Sequence, residues 1–260
     1  MVLVREWDAA EYEKLSAPMT SWGAWIVGRL DLHGDEAAID AGCGTGRVTE
    51  VLLEKLPRGS VLAVDSSGAM VEAARRRFAG DPRVRVERQD LSLLEVKESV
   101  DLILSTATFH WINDHDRLFG RLALALKPQG RLVAQCGGEG NISRATRAIE
   151  ETIREEPFRP YFEGWQDDKL YADPRSTKAR LEAVGFEDVE AWLHEEVVPF
   201  DTVEELARYL GAIVLGGHVA RLPEELRYPF TLGVAEKMAA VDGTPVLDYV
   251  RLNIEARKSA

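Results

Sequence analysis

The sequence predicts an α/β fold, with a parallel sheet covered by helices on both faces. Two observations carry this. From residue 37 to residue 134, short apolar runs alternate with amphipathic stretches of helical spacing. Strand and helix in that rhythm read as βαβ units, whose right-handed crossovers place helices on both sides of a sheet. In addition, Asp40, Asp65 and Asp90 fall near the ends of successive expected strands. Such sheets bind ligands beyond the carboxyl ends of their strands.

Ala37-Ala38-Ile39 forms the first strand and leads into a glycine cluster. Val48, Val51, Leu52 and Leu56 recur at helical spacing, up to Pro57. Residues 60–65 form a short apolar strand ending in an acid, and Met70, Val71, Ala74 and Phe78 mark the next helix, closed by Gly80-Asp81-Pro82. Residues 83–87 alternate with period two, and 100–104 form a further strand. Leu118, Phe119, Leu122 and Leu126 predict a helix stopped by Pro128 and Gly130, before a strand at Leu132-Val133-Ala134. Beyond residue 137 the rhythm changes. Residues 141–175 mix helix and loop, Ser176-Thr177 is read as a helix cap, and 189–198 alternate. Residues 201–241 read as largely helical, with Pro223 at a helix start and Pro229 breaking or kinking the pattern. Residues 247–257 alternate as a final strand. The expected organisation is one domain over residues 1–260. It has a ligand-binding core at 35–137, with 141–175 and 201–245 as lid and acceptor-binding segments.

Composition narrows the function. The 260 residues carry 44 acids against 32 Lys and Arg, a formal charge of −12. A surface that tracks nucleic-acid phosphates needs clustered Lys and Arg. The tight basic run, Arg75-Arg76-Arg77, reads as a solvated helix face, so no nucleic-acid partner is expected. No stretch of about 18 apolar residues predicts a membrane span, and Met1-Val2-Leu3-Val4-Arg5-Glu6 lacks the apolar core of a signal peptide. The expected location is cytoplasmic. Cys43 and Cys136 lie far apart and have no metal-ligand or redox spacing, so no metal is expected.

The decisive segment is Ile39-Asp40-Ala41-Gly42-Cys43-Gly44-Thr45-Gly46-Arg47, between an expected strand and an expected helix. Glycines there permit positive φ and let a ligand approach the backbone, while the new helix presents free N–H groups. Asp65 closes the second strand, 19 residues after Gly46, where a carboxylate can accept both hydroxyls of a ribose. Together these predict a nucleoside-containing cofactor. The dinucleotide fingerprint fails in both registers, because Arg47 and Thr49 stand where its third glycine belongs.

Residues 40–46 (Asp-Ala-Gly-Cys-Gly-Thr-Gly), 64–70 (Val-Asp-Ser-Ser-Gly-Ala-Met), 88–91 (Arg-Gln-Asp-Leu) and 126–132 (Leu-Lys-Pro-Gln-Gly-Arg-Leu) resemble the motifs of the class I S-adenosylmethionine-dependent methyltransferases. Trp7-Asp8-Ala9-Ala10-Glu11-Tyr12 and Thr108-Phe109-His110-Trp111-Ile112-Asn113-Asp114-His115 resemble the trans-aconitate methyltransferase group, which esterifies carboxylates of small acids. Related patterns occur in carboxyl methyltransferases that act on fatty or isoprenoid acids. The resemblance implies a doubly wound, Rossmann-like seven-stranded sheet with helical lid insertions. It also implies S-adenosylmethionine as cofactor and a small-molecule acceptor.

By motif position, Gly42, Cys43, Gly44 and Gly46 run along the methionine and ribose, and Asp40 orients the loop or holds the amino group. Asp65 takes the ribose hydroxyls, Ser66 and Met70 flank the adenine, and Asp90 and Leu91 contact it. Ser105 and Thr106 border the methionine end, and Tyr12 closes over the cofactor. The expected acceptor pocket holds Trp111, Tyr161, Trp165, Tyr171 and His218. His110 is the candidate catalytic residue, as a base if the acceptor is a hydroxyl, amine or carbon. His115 is read as solvated. A carboxylate needs no base near neutral pH, but it does need cations to orient it. Arg144, Arg147, Arg159, Arg208 and His218 in the lid segments are the candidates.

Overall fold

The computed structural model describes residues 7–97, 99–167, 169–241 and 243–260. The signal-peptide reading of residues 1–6 lies outside them. Two helices, α1 (Ala9–Leu15) and α2 (Ala17–Arg29), precede the sheet. Then β1 (Ala37–Ala41), α3 (Arg47–Lys55), β2 (Ser60–Asp65), α4 (Gly68–Arg77), β3 (Val84–Arg88) and β4 (Val100–Thr106) follow in strict alternation apart from the β3–β4 link. Next come α5 (His115–Ala125), β5 (Leu126–Gly137), α6 (Ser143–Thr152), α7 (Pro174–Ala183) and β6 (Phe186–Pro199). The chain ends with α8 (Val203–Tyr209), a π-helical turn at Leu210–Val214, α9 (Gly216–Val219), α10 (Glu224–Ala239) and β7 (Val246–Lys258).

The seven strands form one sheet in the order β3-β2-β1-β4-β5-β7-β6. β7 runs antiparallel to both its neighbours; the pairings among β1 to β5 are parallel. The order reverses between β1 and β4, so the loops after these two strands diverge there. That divergence opens the crevice in which doubly wound sheets bind ligands.

Period two along each strand sends alternate side chains to opposite faces. Ile39, Ile103 and Leu132 pack with Phe109, Phe119 and Leu122 on one side. Ala38, Leu102, Leu104 and Val133 pack with Val27, Leu52 and Leu56 on the other. A third apolar cluster lies outside the sheet's two layers: α6, α8 and α10 bring Ile149, Leu206, Phe230 and Val234 together with Leu247 and Tyr249 of β7.

Four local readings change. The last parallel strand begins at Leu126, because α5 ends directly in extended backbone. Pro128 and Gly130 sit within that strand, where its pairing with β4 shifts register. The cap of α7 is Asp173, whose carboxylate accepts the Ser176 N–H at 2.8 Å; Ser176 and Thr177 lie inside the helix. α10 runs through Pro229 without ending. The third strand ends at Arg88, and Asp90 instead caps a short 3-10 turn at Leu91–Leu93.

Candidate functional site

The glycine loop folds back onto β2. Gly42 and Cys43 donate to the Val64 carbonyl at 2.8 and 3.0 Å. Asp65 at the end of β2 accepts the Gly44 N–H on Oδ2 and the Ser67 N–H on Oδ1, both at 2.9 Å. One carboxylate thereby fixes two loops. Gly42 is required by the protein itself: its φ is +85°, and a Cβ there would stand 2.0 Å from Thr108 Oγ1. Gly44, with φ +54°, is different, because a Cβ there would meet nothing within 4 Å. Its open side is a cradle that a ligand can enter. Gly46, also at positive φ, caps α3.

Asp40 is wholly buried beneath this loop. Thr49 donates to its Oδ2 at 2.5 Å, while Oδ1 has no hydrogen-bond partner. Burial, only partly offset by the Thr49 hydrogen bond, and the neighbouring Asp65 charge raise its pKa to about 6. Ser105 donates to the Ala41 carbonyl at 2.7 Å and so ties β4 to β1. Thr106 is half-buried, and its carbonyl accepts the Thr108 hydroxyl at 2.9 Å. Asp90 accepts Ser92 N–H at 2.8 Å, Ser66 is half-buried, and Met70 and Leu91 are buried core side chains.

The helix α1 is clipped over the loop. Glu13 accepts Thr45 Oγ1 at 2.5 Å, Arg47 Nε at 3.0 Å and Arg77 Nη2 at 2.5 Å. Arg77 also donates to the Thr45 carbonyl and to Glu50. The third arginine of the basic run is therefore a structural tie and not a solvated face. Burial raises the Glu13 pKa, but the Thr45 hydrogen bond and the two guanidinium charges outweigh it and leave it below the usual carboxylate range.

Between Tyr12 of α1 and Arg251 of β7 lies a cavity of about 440 Å³, open solvent included. Of the residues expected in the site, it is lined by Tyr12, His110, Trp111 and Tyr171. Trp7 packs edge-on against both Tyr12 and Trp111. Tyr171 stacks on His110 with centroids 5.9 Å apart. Tyr12 links the two halves of the site: burial, then the Asp65 charge, push its hydroxyl up to about 12, and Arg251 pulls the other way. His110 Nδ1 accepts the Gly137 N–H at 3.2 Å, so a neutral ring carries its proton on Nε2.

The other expected pocket residues lie outside the cavity. Trp165 and His218 pack on each other, with centroids 4.6 Å apart, in the third apolar cluster. Tyr161 is at the surface. His115 is buried, with Nε2 3.0 Å from the Phe109 carbonyl oxygen, which corrects its solvated reading. The expected cations also change. Arg147, Arg159 and Arg208 are exposed, Arg144 donates to the Met238 carbonyl, and neither they nor His218 line the cavity.

The cation that does line it is Arg251 on β7, which the sequence reasoning missed. Its residue is 3% exposed. The guanidinium lies 4.6 Å from the Trp22 ring, and Nε is 3.4 Å from Gln135 Oε1. Gln135 is held in turn by Asn253, at 2.8 Å. Among the described residues no carboxylate pairs with Arg251. The signal was in the alternation of the last strand: Leu247, Tyr249 and Arg251 share one face, and two of the three are apolar and buried.

Comparison with known proteins agrees with this architecture. The methyltransferase domain family matches residues 38–130. A trans-aconitate 2-methyltransferase of Rhizobium etli is 30% identical over 260 residues, covering 97% of this chain and 99% of the relative. One of Sinorhizobium fredii is 29% identical over 98% and 99%. The solved phosphoethanolamine N-methyltransferase 2 of Haemonchus contortus, in complex with S-adenosylhomocysteine, superposes with a TM-score of 0.64 at 20% identity. It covers 97% of this chain and 57% of that one. The YcgJ protein of Bacillus subtilis gives 0.63 at 12%, over 92% and 99%. With the motif loop, the strand order and a near full-length relative in agreement, the chain belongs to the class I S-adenosylmethionine-dependent methyltransferases and is an enzyme that uses S-adenosylmethionine as methyl donor.

Proposed function

We propose that the chain is a small-molecule carboxylate O-methyltransferase, akin to the relatives named for trans-aconitate. The observation that carries this is Arg251. A buried guanidinium without a counter-charge is costly, and one that opens onto a cavity is stabilised by an anionic ligand. A carboxylate matches its planar fork.

The cofactor residues suit S-adenosylmethionine. The open side of Gly44 leaves room along the loop, and Asp65 offers acceptor oxygens for the ribose hydroxyls. The unpartnered Oδ1 of Asp40 suits the methionyl ammonium. Ser66, Met70, Asp90 and Leu91 take the adenine side, and Ser105, Thr106 and Tyr12 border the methionine end. When bound, the cofactor supplies a methyl on a sulfonium: a carboxylate oxygen lone pair forms the O–CH3 bond, the S–CH3 pair stays on sulfur, and no proton moves. The protein's part is alignment and exclusion of water. Arg251 orients the acceptor, Trp7, Tyr12 and Trp111 cover the cavity, and segments 141–175 and 201–245 supply its lid. His110 serves as a hydrogen-bond donor through Nε2, since its other nitrogen already accepts from Gly137.

Incubation with S-adenosylmethionine and a panel of small acids tests this. The expected product is a methyl ester, identified by mass and cleaved by mild alkali. His110→Ala is expected to keep ester formation, at kcat/KM lowered about tenfold, in the range of a lost positioning contact. An alkali-stable product, or complete loss in His110→Ala with cofactor binding intact, would overturn the carboxylate reading.

A further inference from the structure

Resting on the carboxylate reading, we infer that the acceptor carries one carboxylate on an apolar or aromatic body, because among the described residues the cavity offers a single cation without a carboxylate partner, inside largely aromatic and aliphatic walls. Trp7, Met19, Trp111, Ile142, Ile213 and Val214 supply the apolar lining. Three of the polar lining groups, Tyr249, Asn141 and Tyr171, are engaged with one another or with the protein. Tyr249 shares a hydrogen bond with Tyr209 at 2.9 Å. Asn141 accepts the Val250 N–H at 2.9 Å and bonds the Tyr171 hydroxyl.

The second cation in the cavity is Lys169, and it is committed. Its ammonium is paired with Asp167 and lies 5.2 Å from the Trp111 ring centroid. Among the described residues, the Arg251 guanidinium donates to the neutral Gln135 and lies over the Trp22 and Tyr249 rings, with no carboxylate beside it. A substrate carboxylate on Arg251 would complete the pair that the fold leaves open. A second or third carboxylate in the same cavity would meet no further cation without a carboxylate partner among the described residues, and an unpaired charge there is strongly disfavoured. An apolar body, by contrast, gains from those walls.

This chain's specificity is thereby separate from that of relatives named for a tricarboxylate. Arg251 becomes the specificity-determining residue, and its partner Gln135, fixed by Asn253, becomes a positioning residue.

The test compares kcat/KM for monocarboxylic acids with aliphatic or aryl bodies against trans-aconitate and citrate, with S-adenosylmethionine saturating. At least one monocarboxylate is expected to exceed trans-aconitate by tenfold or more. Arg251→Met is expected to lower kcat/KM for that acid at least a hundredfold, while S-adenosylhomocysteine still binds within threefold of wild type, which certifies the fold. Arg251→Lys, which keeps a cation without the fork, is expected to recover part of the loss as a raised KM. Esters formed preferentially from trans-aconitate or citrate overturn the inference and leave the carboxylate reading standing. So does an Arg251→Met enzyme that esterifies the preferred acid normally. Absence of ester from every acid, with S-adenosylhomocysteine bound, overturns both.

Discussion

Asp40 shows at the scale of one residue what the site imposes on the fold. Its folded pKa, about 6, lies above the ordinary value of 3.8. Between those values the folded state binds more protons than the unfolded one, so stability falls as pH rises through that window. Above pH 6 the buried charge weighs up to about 3 kcal/mol against folding, at 1.36 kcal/mol per unit. Asn at this position keeps an acceptor for Thr49 and carries no charge. Asp40→Asn is therefore expected to unfold at higher temperature than wild type at pH 8, with the gap roughly halved at pH 5 and closed below about pH 4, and to bind S-adenosylmethionine at least tenfold more weakly. Thermal unfolding at these pH values and a cofactor titration check this; a variant less stable than wild type at pH 8 would contradict it. The acid was legible in the sequence because its place before the glycines is a local pattern. Arg251 was not, because its importance comes from what β5, α2 and the 169–171 segment place around it, more than 100 residues away for Gln135 and Trp22.

The element that answers to the glycine loop is α1. None of its residues is fully buried, with Tyr12 and Leu15 packing only in part on the third apolar cluster, and a seven-residue helix has little intrinsic stability. What holds it is Glu13, through Thr45, Arg47 and Arg77. The carboxyl's pKa is lowered despite burial, so this tie is intact at neutral pH and is lost as pH falls through the folded value. Because α1 carries Tyr12 onto the cavity, Glu13→Ala is expected to change the melting temperature by less than 3 °C. The same variant is expected to weaken S-adenosylmethionine binding about 5- to 20-fold and to speed proteolysis before residue 17. Calorimetric titration and limited proteolysis read both effects; unchanged affinity would show that α1 does not close the site. At this scale the sequence was read well where a strand and its helix repeat over short separations, as from β1 to α4. It was read poorly where tertiary packing overrides a local signal. Pro229 does not end α10, and Pro128 lies within β5, because the surrounding packing and pairing tolerate the missing N–H.

For the whole molecule, the net charge of −12 and the buried guanidinium of Arg251 act on different length scales. The distributed negative charge repels an anionic acceptor and attracts S-adenosylmethionine, whose sulfonium and ammonium outnumber its carboxylate. These long-range terms are screened when the Debye length shrinks from about 30 Å at 0.01 M salt to about 8 Å at 0.15 M. The contact proposed at Arg251 is buried and is screened much less. The two substrates should therefore respond to salt with opposite signs. Over that range kcat/KM for a carboxylate acceptor is expected to rise about two- to fivefold, while the Kd for S-adenosylmethionine rises by a similar factor. S-adenosylhomocysteine, net neutral at pH 7, is expected to change by less than either. Initial rates and cofactor titrations across a salt series check the pair. If acceptor kcat/KM falls with salt, the field at the cavity mouth is positive despite the acidic surface, and Arg251 with Lys169 sets encounter as well as binding. A rise confined to the acceptor, with the cofactor insensitive, would instead mean that S-adenosylmethionine enters by a route shielded from the outer charge.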